Sequence, residues 1–376
     1  MAIVFIIVGL AILTGYDKKI QILVPDRISA IDAKLINGNM KWESPLAPIV
    51  PVTKNTSTIL KPDLNVARPF DAPEIPAGLK WINTNPLTMA ELKGKVVIID
   101  FWTYSCINCL RTLPYLTAWN EKYKDQGLVI IGVHAPEFAF EQEKKNVESA
   151  VKDHSIAYPV VLDNDFKIWK SYENQFWPAK YFIDKTGKVR STHFGEGAYD
   201  ESEKIIQYLL SEGMEDTSTI KTGTVTVTPV GKSGFNQNPE TYLGLSRAEN
   251  YTGSPGYNTN GEKTFTLASR LDKNQWSLGG IWGIENERII SKKDAILQMN
   301  VSGRDIYLVL GGKLWATARV SLNGQNASGK DVVNGILTIN GQRLYHLVSE
   351  KTSFVEKTLK IEFDSGIEGY AFTFGG

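Results

Sequence analysis

The chain has few cysteines, no excess of charge of either sign and almost no long apolar runs, and each shortage excludes something. Two cysteines among 376 residues cannot supply the several bridges on which small secreted domains rest. They sit three apart, as Cys106 and Cys109, so a bridge between them closes almost no loop and adds little stability. A zinc site needs four ligands, yet no second CxxC is present, and the four histidines, His134, His154, His193 and His346, are widely separated. Redox chemistry is the better account of the pair. Lys+Arg and Asp+Glu stand at 41 each, which gives no reason to expect nucleic acid as a partner. With 42% hydrophobic and 22% charged residues, the composition matches neither a disordered chain nor a polytopic membrane protein, and the length allows two or three domains.

One apolar run stands out. Residues Ala2 to Tyr16 (AIVFIIVGLAILTGY) carry no charge and end at Asp17-Lys18-Lys19. The run is shorter than the roughly 17 to 25 residues of a spanning helix, and no basic segment precedes it as in a signal peptide. Residues 1–16 are therefore read as a hydrophobic anchor or the end of a transmembrane helix, attaching the chain to a membrane. Taken alone, the positive-inside rule would keep the Lys18-Lys19 end in the cytoplasm. Residues 17–69 are read as a linker, because proline and small polar residues take over from Asn39 (SPLAPIVPVTKNTSTILKPDLNVARPFDAPEIP) without any apolar period.

Residues 70–213 read as an α/β domain. Val96-Val97-Ile98-Ile99 leads through Asp100-Phe101-Trp102 into the cysteines, and a helical pattern containing Pro114 follows, which makes a strand, a loop and a helix. Leu128 to Val133 is a second buried strand, and Glu137 to His154 has the pattern of an amphipathic helix. Tyr158 to Leu162, Lys180 to Asp184 and Val189 to His193 continue the alternation, the last two joined by a turn at Lys185-Thr186-Gly187. Such an order predicts a sheet covered on both faces. A cysteine where a strand meets a helix profits from free amides and the helix dipole, which stabilise a thiolate. Cys106 is thus the expected nucleophile, and Cys109, one turn further on, the resolving thiol. Trp102, Tyr104 and Trp177 are candidates to line a substrate groove, with core packing the alternative for each. His134 and Glu137 are assigned to loop packing.

These residues resemble the thioredoxin superfamily in its TlpA/AhpC-TSA-like branch. Asp100, six before Cys106, matches the buried acid that exchanges a proton with the second cysteine in that family. Pro114, five after Cys109, matches its helix kink, and Trp177-Pro178 before Tyr181-Phe182-Ile183-Asp184 its cis-proline loop, which offers backbone groups to an extended substrate. The strings DFWTYSCINCLRTLPYL, GVHAPEFAFE, YPVVLDNDFKIWKSYENQFWPAKYFID and FGEGAYDESEKIIQYLL are similar to DipZ-type proteins, in which the domain follows a CcdA-like membrane electron transporter and lies outside the cytoplasm. The segment VGLAILTGYDKKIQ is similar to the end of the last transporter helix. The resemblance implies a membrane-tethered thiol–disulfide oxidoreductase acting on protein disulfides and re-reduced by a CcdA-like donor, with the Cys106–Cys109 disulfide as its redox group and no other cofactor. It also implies work in the periplasm or cell envelope, in the setting of cytochrome c biogenesis. Ser105 replaces the usual Trp, and Ile107-Asn108 the usual Gly-Pro; inner residues tune thiol acidity and potential, so the reductant direction comes from the implied context.

Residues 214–238 read as a second linker rich in Thr, Gly, Lys and Pro. Residues 239–376 show short alternating runs, at Ala295–Val301, Asp305–Leu310, Trp315–Leu322, Gly335–Ile339, Gln342–Val348, Thr358–Phe363 and Tyr370–Phe374, which predict an antiparallel β-sandwich. ETYLGLSRAENY, DIYLVLGG, RLYHLVSE and YAFTFGG are similar to the jelly-roll, carbohydrate-binding-like module at the end of DipZ-type proteins. Trp276, Trp282 and Trp315 are candidates for stacking on a glycan. Two other functions remain in view. One is thiol peroxidase, since Thr103 precedes Cys106 as in TxxC, although Ile99 stands where that motif has proline. The other is a glycan- or protein-binding module carrying a vestigial redox domain.

Overall fold

Residues 96–102 are apolar apart from one acid, and all seven are buried, as expected of a strand covered on both faces. In the computed structural model, which describes residues 59–228 and 237–375, this strand is the centre of a seven-stranded sheet. The apolar run at 1–16 and the linker through residue 58 lie outside the described residues, as do 229–236. The strands are β1 (Phe70–Asp71), β2 (Lys80–Ile82), β3 (Val96–Trp102), β4 (Leu128–His134), β5 (Val160–Leu162), β6 (Ala179–Ile183) and β7 (Lys188–Phe194), in the order β1-β7-β6-β3-β4-β5-β2. β3 runs parallel to β4 and antiparallel to β6.

Alternation along β3 sorts its side chains. Val96, Ile98 and Trp102 join the core under helices α1 (Ile107–Tyr123), α2 (Lys144–Asp153) and α4 (Tyr199–Ser211). Val97, Ile99 and Phe101 face the opposite core, with α3 (Lys167–Ser171) and the segment holding Ile75, Trp81 and Leu92. Pro114 lies inside α1 and removes the bond its amide would have given to the Leu110 carbonyl.

The single helix expected over Glu137–His154 is two pieces. A short 3₁₀ turn, Ala139–Gln142, precedes extended Glu143, and α2 begins only at Lys144. The reason is Glu141. Its carboxylate turns inward and accepts the amides of Glu137 and Phe138 at 2.6 and 3.0 Å, which holds them away from a helical ladder.

From residue 241 the described residues form a second, all-β sheet of 12 strands with β-sandwich character. Two runs expected as four strands are two long ones. Ala295–Gly312 and Arg343–Phe363 pair antiparallel from Ala295↔Phe363 to Leu310↔Arg343, with register shifts around Val301, Gly303 and Asp305 that bend the pair. Trp276–Ile284 and Gly261–Leu267 also form strands there. Trp276 and Trp282, candidates either for stacking on a glycan or for packing a sandwich core, are 0% and 1% exposed and pack the core, whereas Trp315 reaches solvent.

All described residues fall in one compact unit. Tyr307, Val309, Leu344, Tyr370 and Ala371 of the second sheet share the core that α1 and α2 cover. The stretch after 213, expected as a free spacer, begins against the first sheet's helices: Ile220 is buried, and the Val225 amide donates to Glu203 at 2.6 Å.

Candidate active site

Cys106 is the N-cap residue of α1, extended at φ −84° and ψ 114°. Its Sγ accepts the Cys109 amide at 3.3 Å. A thiolate there meets the positive end of the helix, and no acidic residue in the first turn opposes it. Cys106 is partly exposed while Cys109 is 1% exposed, and both are free thiols. Burial pushes the Cys109 thiol well above its ordinary range, helped by its hydrogen bond to Cys106 and that residue's charge. The outer sulfur is thus the accessible one, and burial favours the protonated form of the inner one.

Asp100 is among the charges that act on Cys109. It is 1% exposed on the α1 side of β3, and among the described residues neither carboxylate oxygen has a hydrogen-bond partner. Burial pushes its carboxyl up to about 7, against the pull of Lys180. Lys180 lies directly opposite in the β3–β6 register and is 0% exposed, its Nζ donating to the Gly195 carbonyl at 3.3 Å. Burial moves its ammonium below the usual lysine range, while Asp100 and then Cys109 pull it back. Asp100, Lys180 and Cys109 therefore form one electrostatic group. Lys180 was not singled out in the sequence, although a lysine in the apolar strand AKYFI is the same kind of interruption as Asp100.

A second acid lies beneath the loop before Cys106. Glu141 is fully buried, and its Oε1 accepts from the Ser105 hydroxyl at 2.6 Å and the Ser105 amide at 3.3 Å. The Thr103 Oγ1 lies 3.4 Å from His134 Nε2. Burial pushes Glu141 up to about 7, opposed by the Ser105 hydrogen bond. His134 is also fully buried, which lowers it to about 3 and keeps it neutral. His134 and Glu137 pack the loop; Glu137 binds Arg247 at 2.9 Å and the Tyr242 hydroxyl at 2.7 Å. Glu141 carries no sequence signal, because nothing in FAFE tells an inward acid from an exposed one.

The Trp177–Pro178 peptide is cis. Trp177 is half-buried against the same core as Cys106; its ring lies 4.2 Å from that of Trp169, and its Nε1 donates to the Ala135 carbonyl at 3.1 Å. Phe176 and Phe194, both exposed, meet at 5.2 Å beside it. Trp102 and Tyr104 differ from expectation. Their side chains are 0% and 5% exposed and pack on His134, edge-on at 5.3 Å and stacked at 5.6 Å, so they support the loop from below and line no groove. Even alternation sends residue 102 under α1, whatever the loop that follows.

Known proteins give the same outline. The AhpC/TSA family model matches residues 68–192, and the thioredoxin-like C-terminal domain model matches residues 238–375. Protein DipZ of Mycobacterium bovis is 36% identical over 311 residues, covering 81% of this chain and 43% of its own length. The chain thus spans less than half of that relative. The thiol–disulfide oxidoreductase YkuV of Bacillus subtilis is 30% identical over 141 residues, 37% of this chain and 94% of YkuV. The thiol–disulfide oxidoreductase ResA of Bacillus cereus is 32% identical over 121 residues, 67% of ResA.

Proposed function

The chain belongs to the thioredoxin-like thiol–disulfide oxidoreductases, and on that premise we propose that Cys106 and Cys109 are its redox centre, Asp100 its proton relay and Trp177–Pro178 its substrate-docking loop. The observation that carries this reading is the split between the thiols. One sits partly exposed at a helix head accepting an amide, and the other lies buried next to a carboxyl raised to about 7.

The Cys106 thiolate attacks one sulfur of a protein disulfide. That S–S bond breaks, a mixed disulfide forms, and one substrate thiolate leaves and is protonated by solvent. Ionised Asp100 then takes the Cys109 proton. The Cys109 thiolate attacks Cys106 Sγ, closes the Cys106–Cys109 disulfide and expels the second substrate thiolate. Two electrons have passed from the cysteine pair to the substrate, with Asp100 carrying only a proton. A membrane dithiol donor of CcdA type returns them, with the chain tethered outside the cytoplasm; the likeness to DipZ supports this part of the reading. Among the described residues no helix is long and apolar enough to cross a membrane.

The AhpC/TSA match also suits a thiol peroxidase, but Thr103, which that chemistry needs beside the attacking sulfur, has its hydroxyl 3.4 Å from His134 Nε2. Disulfide exchange is the better fit. Cys109→Ser should trap mixed disulfides with protein substrates through Cys106, and Cys106→Ser should trap none. Wild-type protein that cannot reduce insulin, or a Cys109→Ser variant that captures nothing, would count against this reading.

A further inference from the structure

The redox loop is held by a carboxylate that the exchange reaction itself does not use. Glu141 is fully buried and comes from the 3₁₀ turn after β4, whereas Asp100 belongs to β3. One oxygen accepts both the hydroxyl and the amide of Ser105, the residue bonded directly to Cys106, and the other accepts the amides of Glu137 and Phe138. Four donors on two oxygens is a complete set for a carboxylate. Asp100 has the reverse condition, with both oxygens bare. The two buried acids have different work.

We propose that Glu141 is a positioning residue for the redox reaction, fixing Ser105 so that the Cys106 sulfur stays at the head of α1 within reach of the Cys109 amide. The inference rests on Cys106 being the attacking thiol. The peptide joining Ser105 to Cys106 is pinned on one side by Glu141 and on the other by the start of α1, where the Leu110 amide donates to the Cys106 carbonyl at 3.0 Å. Release the first pin and the N-cap geometry that supports a thiolate keeps only the helix and the Cys106 amide's 3.4 Å bond to the Thr103 carbonyl. The groups facing Glu141 are few. They include Ser105, Thr103 and Tyr104 on the loop, His134 through Thr103, and Glu137 on its own segment. Among the described residues Glu141 makes no salt bridge, and hydrogen bonds keep it in place.

Alkylation of Cys106 by iodoacetamide, followed by mass spectrometry across a pH series, reads the sulfur directly and needs no protein substrate. A failure of the disulfide-reductase reading would therefore leave this test intact. Glu141→Gln must set an amide NH₂ against amide or hydroxyl donors whichever way it turns. The expected result is a fall of about tenfold in alkylation rate at pH 7, with the midpoint of the pH profile moved upward. Ser105→Ala removes the 2.6 Å contact alone and should move both quantities the same way by a smaller factor. A folded Glu141→Gln with wild-type rate and midpoint overturns the proposal. If that variant does not fold, Ser105→Ala decides by itself: an upward midpoint supports the positioning role, and an unchanged one overturns it.

Discussion

At the scale of single residues, the energetic oddity of the site is Asp100, whose buried oxygens lack partners beside an equally buried lysine. Replacing it with Asn tests stability and chemistry separately. Its carboxyl is raised from 3.8 to about 7 in the folded protein, so between those values the native state holds a proton that the unfolded chain has lost. Stability should fall as pH rises through that window and level off above it, and Glu141 adds to the same slope from 4.5 upward. Asp100→Asn should flatten much of the slope and be more stable than wild type at pH 8 by on the order of 1 kcal/mol, measured by urea unfolding at pH 5 and 8. The chemical effect has the opposite sign. First attack on a small aromatic disulfide should change little, while closure of the Cys106–Cys109 bond slows by about a hundredfold, the usual size of a lost general base. Equal slowing of both steps would mean that Asp100 acts on Cys106 and does not relay for Cys109.

Among the elements, β3 and β4 show what a sequence discloses about such a site. Cys106 and Cys109 stand out as a CxxC where a strand meets a helix, whereas Asp100, Pro114 and Trp177–Pro178 were picked out through their match to the thioredoxin-like family. Lys180 was not, because it reaches Asp100 only through the antiparallel register of β6, which no local pattern specifies. Trp102 and Tyr104 were misread for a related reason: nearness to the cysteines along the chain suggested a groove, whereas strand alternation put Trp102 beneath the helix. Gly132 shows how tightly that space is filled. It lies opposite Asp100 in the parallel register, and a Cβ there would stand 3.0 Å from Trp102 Nε1 and 3.2 Å from the Tyr158 ring. Neither ring can swing aside in a close-packed core. Gly132→Ala should therefore cost about 1 to 3 kcal/mol in urea unfolding, although alanine is the gentlest of changes at an ordinary strand position. A neutral result would show that the face of the sheet under α1 is looser than these distances imply.

Across the whole molecule, the two sheets behave as neighbours with a shared core, and composition had suggested only a spacer between separate domains. The contact is made where the redox loop is braced. Phe138 and Phe140, which flank the start of the 3₁₀ turn carrying Glu141, lie 5.2 and 4.8 Å from the ring of Tyr370. Around them Glu137 binds Arg247 and Tyr242, and the Ala139 amide donates to Glu287 at 3.2 Å. Arg247 is half exposed, so its ion pair contributes at most about 1 kcal/mol. The apolar contact contributes more, because Tyr370 is 2% exposed and its ring has no replacement. Tyr370→Ala should cost about 3 to 5 kcal/mol. Its further consequence is what distinguishes a shared core from two domains that merely touch. If the core is shared, wild type unfolds in one transition seen alike by far-ultraviolet dichroism and tryptophan fluorescence, and Tyr370→Ala lowers the midpoint of both probes together. Cys109, 1% exposed in the first turn of α1, provides an independent reporter on the side of the first sheet. Its alkylation, slow in the native protein, should accelerate in Tyr370→Ala although the substitution lies in the second sheet. Protection of Cys109 unchanged from wild type, with only the second sheet destabilised, would show that the redox domain stands without its neighbour.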